Sequence, residues 1–131
     1  MMIDTITTAK EYFLRYNIDN YNISEVYALY PKEREYGWPD CWPGNIEAGV
    51  YIVYDQQMIP LYIGEAGFLG RRLSCYFKYS ENGDCQAKQE WSRKPCFVQT
   101  ITLSNDFERF SLEVYLIRQI QPEDNSRLYE L

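Results

Sequence analysis

The sequence of 131 residues contains no histidine. This absence excludes acid–base catalysis by imidazole, Ser-His-Asp and Cys-His nucleophile systems, and metal sites with imidazole ligands. To activate water, the chain is left with tyrosine or with a metal-bound hydroxide. The sequence therefore excludes the enzyme classes that depend on histidine.

Three further features are missing. The start of the chain has no basic region followed by an apolar stretch, so no secretory signal is predicted. No apolar run approaches the roughly 18 residues that span a bilayer, so no membrane segment is predicted. No Cys-x-x-Cys pair occurs, and the cysteines have spacings that match no zinc finger or ribbon; they are Cys41, Cys75, Cys85 and Cys96. We therefore expect reduced thiols and a cytoplasmic protein, with a four-cysteine zinc site as the alternative.

The composition is that of a folded domain, with 46% apolar and 24% charged residues. The net charge of −6 is not the usual mark of a nucleic-acid-binding protein. Only the stretch 71–94 carries more basic than acidic residues. A positive surface, if there is one, should therefore lie on this stretch.

Hydrophobic spacing and turn residues predict helices over 5–17, 23–30, 68–79 and 107–121, and strands over 50–54, 61–63 and 97–103. The first helix contains a capping box, Thr8-Ala-Lys-Glu11, and the segment 31–48 is a Trp/Pro arm. We expect an α+β fold with a small three-stranded, largely antiparallel sheet flanked by helices. Residues 1–47 should form an N-terminal helical extension to a domain over 48–131.

One carboxylate breaks the local pattern. Glu113 shares its predicted helix face with apolar side chains, namely Phe110, Leu116, Ile117 and Ile120. A buried carboxylate requires a partner or a metal. The alternative is a surface ion pair with Arg109, one turn earlier.

A second feature is the predicted hairpin over 49–64. With a turn centred on Gln56 and Gln57, Tyr51 and Tyr62 lie directly opposite each other and project together. On the following helix, Arg72 and Tyr76 share a face. Ordinary aromatic packing is the alternative explanation of the tyrosine pair.

These residues stand in an order that resembles the GIY-YIG nuclease family. Gly49-Val50-Tyr51 followed by Tyr62-Ile63-Gly64 resembles its two-part signature. The stretch 62–78 (YIGEAGFLGRRLSCYFK) is most similar to the nuclease domain of the bacterial excision-repair incision subunit. The segment from Glu113 through Pro122 to Asn125 resembles the last family element. The resemblance covers about 49–125 and implies a GIY-YIG-like fold.

The resemblance also implies roles for individual residues. Glu113 would be the sole protein ligand of one divalent cation, Mg²⁺ or Mn²⁺, and Arg72 would contact the scissile phosphate. Tyr51 and Tyr62 would line the site, one of them helping to deprotonate the attacking water. Two more residues complete the set: Tyr76 as a further site tyrosine, and Asn125 as a holder of local structure.

General chemistry agrees with these roles. Mg²⁺ takes oxygen ligands and keeps several waters, so one carboxylate and a substrate phosphate suffice to hold it. A fixed guanidinium suits a phosphate better than a mobile ammonium. One departure is Glu65, which stands where the family pattern has a lysine. Compensation by Lys78, by Arg71 or by the metal is expected if activity is kept.

The predicted function is a metal-dependent endonuclease that hydrolyses DNA phosphodiester bonds. Arg71, Lys78 and Trp91 are the expected substrate-binding residues, and binding of DNA should be weak and sensitive to salt. A protein partner or a dimer is expected through the N-terminal helices. The alternative function is an inactive GIY-YIG-like module that binds protein or nucleic acid, and a nuclease acting on RNA is a third.

Overall fold

The computed structural model of the protein describes residues 4–30, 42–79, 85–87 and 90–125. Within these ranges the helices are α1 (Thr5–Arg15), α2 (Leu69–Tyr76) and α3 (Asp106–Ile120), and a 3-10 turn covers Glu123–Asn125. The strands are β1 (Asn22–Ile23), β2 (Tyr27–Ala28), β3 (Gly49–Tyr54), β4 (Pro60–Ala66), β5 (Phe77–Tyr79), β6 (Cys85–Ala87) and β7 (Phe97–Thr102). The predicted α+β class is confirmed.

The main sheet is antiparallel throughout its described pairings. Its order is β1-β7-β3-β4, and β2 also pairs with β7. The three long strands β7, β3 and β4 are those that the sequence predicts, because β-branched and aromatic residues dominate β3 and β7. All six residues of β3 are buried, since helices cover both faces of the sheet.

The short strands β1 and β2 correct the prediction of a helix over 23–30. Ser24 lies between them and fixes this segment along β7: its backbone N–H donates to the carbonyl of Thr100, and its hydroxyl accepts from the Thr100 N–H, both at 2.9 Å. Pairing with β7 satisfies more backbone groups than an isolated helix of two turns would. The segment also covers the open edge of β7.

Two predicted helices have different ends. The helix expected over 68–79 stops at Tyr76, because residues 77–79 become β5 and pair with β6. The first helix begins after Asp4, whose carboxylate accepts from the Ile6 N–H at 3.2 Å. Thr8 is a buried mid-helix residue, so the predicted capping box is wrong.

Each face of the sheet has its own core. The first lies under α1 and α3 and contains Ala9, Tyr12, Phe13, Val50, Ile52, Tyr54, Ile63, Ile101, Leu103, Leu112, Leu116 and Ile117. The second lies under α2 and contains Leu29, Trp42, Tyr51, Val53, Ala66, Leu69, Leu73, Tyr76, Phe77, Tyr79 and Val98. Helix α3 thus packs on one face of the sheet and α2 on the other. Strand β4 is an edge strand of this sheet and contributes residues to both faces.

Parts of the predicted arm are described and parts are not. Trp42 is buried and donates from its indole N–H to the Ser74 hydroxyl at 3.0 Å, as expected for an arm packed by tryptophan. Trp38, Cys41 and most of 31–48 lie outside the described residues. None of the described helices combines the length and apolar character needed to cross a membrane.

Candidate active site

The outer edge of β4 is where the candidate site forms. Asn125, at the end of the 3-10 turn, accepts from the Ile63 N–H at 2.7 Å and donates to the Ile63 carbonyl at 2.9 Å. The next outward N–H along the strand, that of Glu65, lies close enough to the carboxylate of Glu113 to lower its pKa. The amide of Asn125 thus takes up edge groups that would otherwise need water or another strand.

Glu113 is half-buried and reaches this edge from α3. Burial raises the pKa of its carboxyl above the usual value, and the charge of Glu65 raises the pKa further, while the Glu65 N–H opposes both. Glu113 also lies close enough to Tyr62 for its charge to raise the pKa of that phenol.

The surface pair of Glu113 with Arg109 is not formed. Arg109 is buried, and its Nε donates to Glu65 at 2.9 Å while its Nη2 donates to Asp106 at 2.7 Å. Arg109 thus neutralises the charge of Glu65, and compensation for the missing lysine by Lys78, by Arg71 or by the metal stays a prediction.

The sequence-based prediction does not include the pairing of Arg109 with Glu65, although the spacing along α3 contains a signal for a buried arginine. Arg109 stands one turn before Glu113 on the same inward stripe of α3. Spacing that buries the acid buries the arginine as well. A buried guanidinium needs acidic partners, and Glu65 is the acid that the family pattern does not explain.

The tyrosines converge, but not in the predicted register. Tyr51 lies opposite Gly64, and Tyr62 lies opposite Val53, because the turn is longer than two residues and the pairing shifts between Val53 and Tyr54. Tyr51 and Tyr62 are therefore diagonal neighbours on one face, with ring centroids 6.1 Å apart. The prediction that they project together is correct, and the directly opposed pair is wrong.

Tyr76 joins the two from α2. Its hydroxyl lies 3.0 Å from that of Tyr51, and its ring centroid lies 6.1 Å from that of Tyr62. Burial, together with the neighbouring Tyr76 hydroxyl, raises the pKa of Tyr51 far above the usual value and that of Tyr62 to about 12. The charge of Arg72 acts in the opposite direction on both phenols. Arg72 is thus positioned to favour a phenolate.

Gly64 makes room for this arrangement. A Cβ at position 64 would lie 2.4 Å from the hydroxyl oxygen of Tyr51, a distance that no real contact permits. The glycine of the second signature element is therefore needed to seat the ring of Tyr51 against β4.

The remaining predicted residues divide into two groups. Trp91 is partly buried, stacks on Phe77 with centroids 5.7 Å apart, and meets Tyr76 edge-on at 5.8 Å. It forms a wall of the tyrosine cluster. Arg71 and Lys78 are exposed, and Arg71 lies over the ring of Phe68 at 5.2 Å. They lie on the surface beside the cluster and not within it.

The donors at the edge of β4 fit a hard divalent cation. A half-buried carboxylate beside one backbone N–H keeps oxygen lone pairs for a metal, and a phenol near it can hydrogen-bond metal-bound water. In the described residues, no three acidic or cysteine side chains form a metal-holding group, and Cys75 and Cys96 form no disulfide.

The sequence matches a known domain family and several curated proteins. The model of the UvrC-like GIY-YIG domain matches residues 47–126. The chain is 37% identical over 78 residues to the UvrABC system protein C of Chlamydia muridarum, which is 59% of this chain and 13% of that protein. It is 34% identical over 82 residues to the protein of that name from Thermotoga maritima, which is 63% of this chain and 14% of that protein. The match thus spans about one seventh of these relatives.

A solved structure is also similar. It is the GIY-YIG N-terminal endonuclease domain of UvrC from Thermotoga maritima, bound to its catalytic divalent cation, magnesium. The sequence identity is 30%, the TM-score is 0.43, and the match covers 61% of this chain and 84% of that domain.

Proposed function

Because the chain belongs to the family of UvrC-like GIY-YIG domains, we propose that it is an endonuclease that hydrolyses DNA phosphodiester bonds with one divalent cation, Mg²⁺ or Mn²⁺. The observation that carries the proposal is the half-buried Glu113, close enough to Tyr62 for its charge to act on that phenol and not paired with Arg109. The similar domain from Thermotoga maritima is described as bound to its catalytic divalent cation, magnesium, which agrees with the proposal of a divalent cation for this chain.

In this proposal each residue has one task. The carboxylate of Glu113 holds the cation, which when bound lowers the pKa of its water and neutralises charge on the phosphate. Arg72 donates to the scissile phosphate and stabilises the charge that develops there. The side-chain amide of Asn125 hydrogen-bonds both the N–H and the carbonyl of Ile63, so Asn125 is a positioning residue that fixes β4.

Of the phenols, Tyr62 is the better candidate to orient and deprotonate the attacking water. It is partly exposed and lies near both Glu113 and Arg72. Tyr51 is buried and hydrogen-bonded to Tyr76, so we propose that these two tyrosines orient Tyr62. With its pKa near 12, Tyr62 needs the cation and Arg72 to release a proton near neutral pH.

Substrate binding is proposed at the basic stretch. Arg71 and Lys78 would contact backbone phosphates, and Trp91 would stack on a base. The overall charge of −6 limits these contacts to a few, so binding is weak and sensitive to salt. We also propose that the chain divides into an N-terminal extension over 1–47 and a nuclease domain over 48–131. The N-terminal region would contact another protein molecule, and the protein would be cytoplasmic.

The test is cleavage of plasmid and branched DNA with and without Mg²⁺ or Mn²⁺. Glu113→Ala and Arg72→Ala should each lower the cleavage rate at least about 100-fold, because each removes stabilisation of the transition state. Glu11→Gln and Arg15→Ala, exposed on α1, are the matched controls and should cleave as the parent does.

Equal cleavage by Glu113→Ala would refute the role of the acid. Absence of both cleavage and binding of Mn²⁺ by the parent protein would favour the inactive module instead. A parallel digestion of RNA separates the two nucleic acids. The main argument for an inactive module is the acid at position 65, and its ion pair with Arg109 weakens that argument.

A further inference from the structure

Helix α3 has an outward face that the proposed site does not use. Phe107, Phe110 and Val114 are exposed on it by 82%, 46% and 52% of their surface. With Ser111 and Arg118 they recur every three or four residues and so form one continuous stripe. A contiguous apolar stripe of this kind marks an interaction surface in a folded protein.

The stripe borders an open groove between α3 and α1. The groove has a volume of about 780 Å³, and its walls include Tyr12, Tyr16 and Tyr115. Tyr12 contacts the other two in tilted arrangements, with centroids 4.9 Å apart in both pairs, so the walls are set by packing within the protein. A partner would therefore meet a preformed surface.

The charges along this face identify the partner that fits. Glu108 lies at the start of the stripe and Arg118 at its end. Asp106 is already paired with Arg109, so Glu108 supplies the negative charge at the first end. A face that is acidic at one end and basic at the other is complementary to itself when reversed.

We propose that two copies of this chain associate through this face, with their α3 helices antiparallel and related by a two-fold axis. An axis between Ser111 and Val114 places Phe107 of each copy against Arg118 of the other, and Glu108 within reach of that same arginine. The small side chains at the centre allow close approach of the helices, and the guanidinium stacks on the phenyl ring.

The association does not depend on the proposed nuclease activity. Glu113 lies on a different side of α3 from Phe107 and Arg118, so an interface centred on those two residues leaves the acid uncovered. The oligomeric state can thus be measured whether or not cleavage occurs, and a failure of one proposal is distinct from a failure of the other.

The first test is sedimentation velocity of the full chain over a wide range of concentrations. The parent should show a monomer–dimer equilibrium. Phe107→Ala should raise its dissociation constant at least about tenfold, with the thermal melt unchanged because the side chain is exposed. Leu14→Ala is the matched control, since Leu14 is also 82% exposed but lies outside the groove. A parent that stays monomeric at all concentrations overturns the proposal, as does equal weakening by Leu14→Ala.

The second test is a charge exchange. Glu108→Arg and Arg118→Glu alone should each raise the dissociation constant several-fold, and an equimolar mixture of the two single variants or the double variant should restore association. Circular dichroism melts confirm that each variant is folded. Failure of the double variant to recover association, with the fold intact, overturns the antiparallel arrangement.

Discussion

Two tyrosines on one face of the hairpin differ in their surroundings and should differ in their effects. Tyr62→Phe removes the phenol nearest Glu113 and should lower the rate of cleavage by about 100-fold or more, as expected for a proton-transfer group. Tyr51→Phe removes a hydroxyl 3.0 Å from that of Tyr76. It should cost about 1 kcal/mol of stability and affect the rate less. Single-turnover kinetics and urea unfolding of both variants measure these effects.

The comparison has an internal control. Tyr16→Phe alters an exposed phenol directly after α1 and should change neither the rate nor the stability. A larger loss of rate in Tyr51→Phe than in Tyr62→Phe would assign proton transfer to the buried tyrosine and contradict the proposed division of tasks.

At the level of single residues, the sequence predicts the site acid and misses its neighbour. Glu113 stands out because a carboxylate on an apolar stripe costs free energy unless it is partnered. Arg109 is on the same stripe, but it could equally pair with Glu113 within the helix. Only the position of Glu65 on β4 shows that Arg109 forms its ion pair with Glu65 and not with Glu113.

Among the elements, the β3–β4 turn is fixed by one buried carboxylate. Asp55 accepts the N–H groups of Gln57 and Ile59 and the Nε of Arg93, the last at 2.8 Å. Arg93 also pairs with Glu123 in the 3-10 turn that carries Asn125. Burial by itself would raise the pKa of Asp55, but the hydrogen bonds from Ile59 and Arg93 outweigh it, and the pKa lies below its usual value.

Asp55→Ala should therefore destabilise the protein by roughly 1–3 kcal/mol at neutral pH. Because the folded pKa is below the unfolded one, ionised Asp55 favours folding above its unfolded pKa. This contribution is lost as the pH falls through the folded pKa. Urea unfolding from pH 7 down to pH 3 should show the difference between parent and variant shrinking. Asp19→Ala, at an exposed position, is the control; a difference that stays constant with pH would contradict the assignment.

Element types are predicted well where a pattern is long and poorly where it is short. Helix α3 follows its apolar spacing over fifteen residues, and Asn105 caps it by accepting from the Glu108 N–H. Residues 23–30 offer only two turns of spacing, and pairing with β7 prevails over that weak preference. The hairpin register depends on the turn, in which Met58 adopts a positive φ of 63°. Methionine rarely adopts this conformation, so the sequence does not predict the turn.

For the molecule as a whole, the distribution of charge should decide how it holds a nucleic acid. A chain of net charge −6 can bind DNA only through a local positive surface, and 71–94 is the one basic stretch of its sequence. Arg71 and Lys78 are exposed there, next to the tyrosine cluster. Their contribution should appear as a dependence of affinity on salt, because each phosphate contact releases bound counterions.

Arg71→Ala and Lys78→Ala should each reduce the slope of log affinity against log salt by about 1, as expected for the loss of one phosphate contact. The measurement is fluorescence anisotropy of labelled DNA over a series of NaCl concentrations. It is made in the Glu113→Ala background so that no cleavage occurs. Lys10→Ala, which removes an equal charge from the exposed side of α1, is the matched control and should leave the slope unchanged. An equal effect of Lys10→Ala would mean that net charge governs binding, and not a surface beside α2.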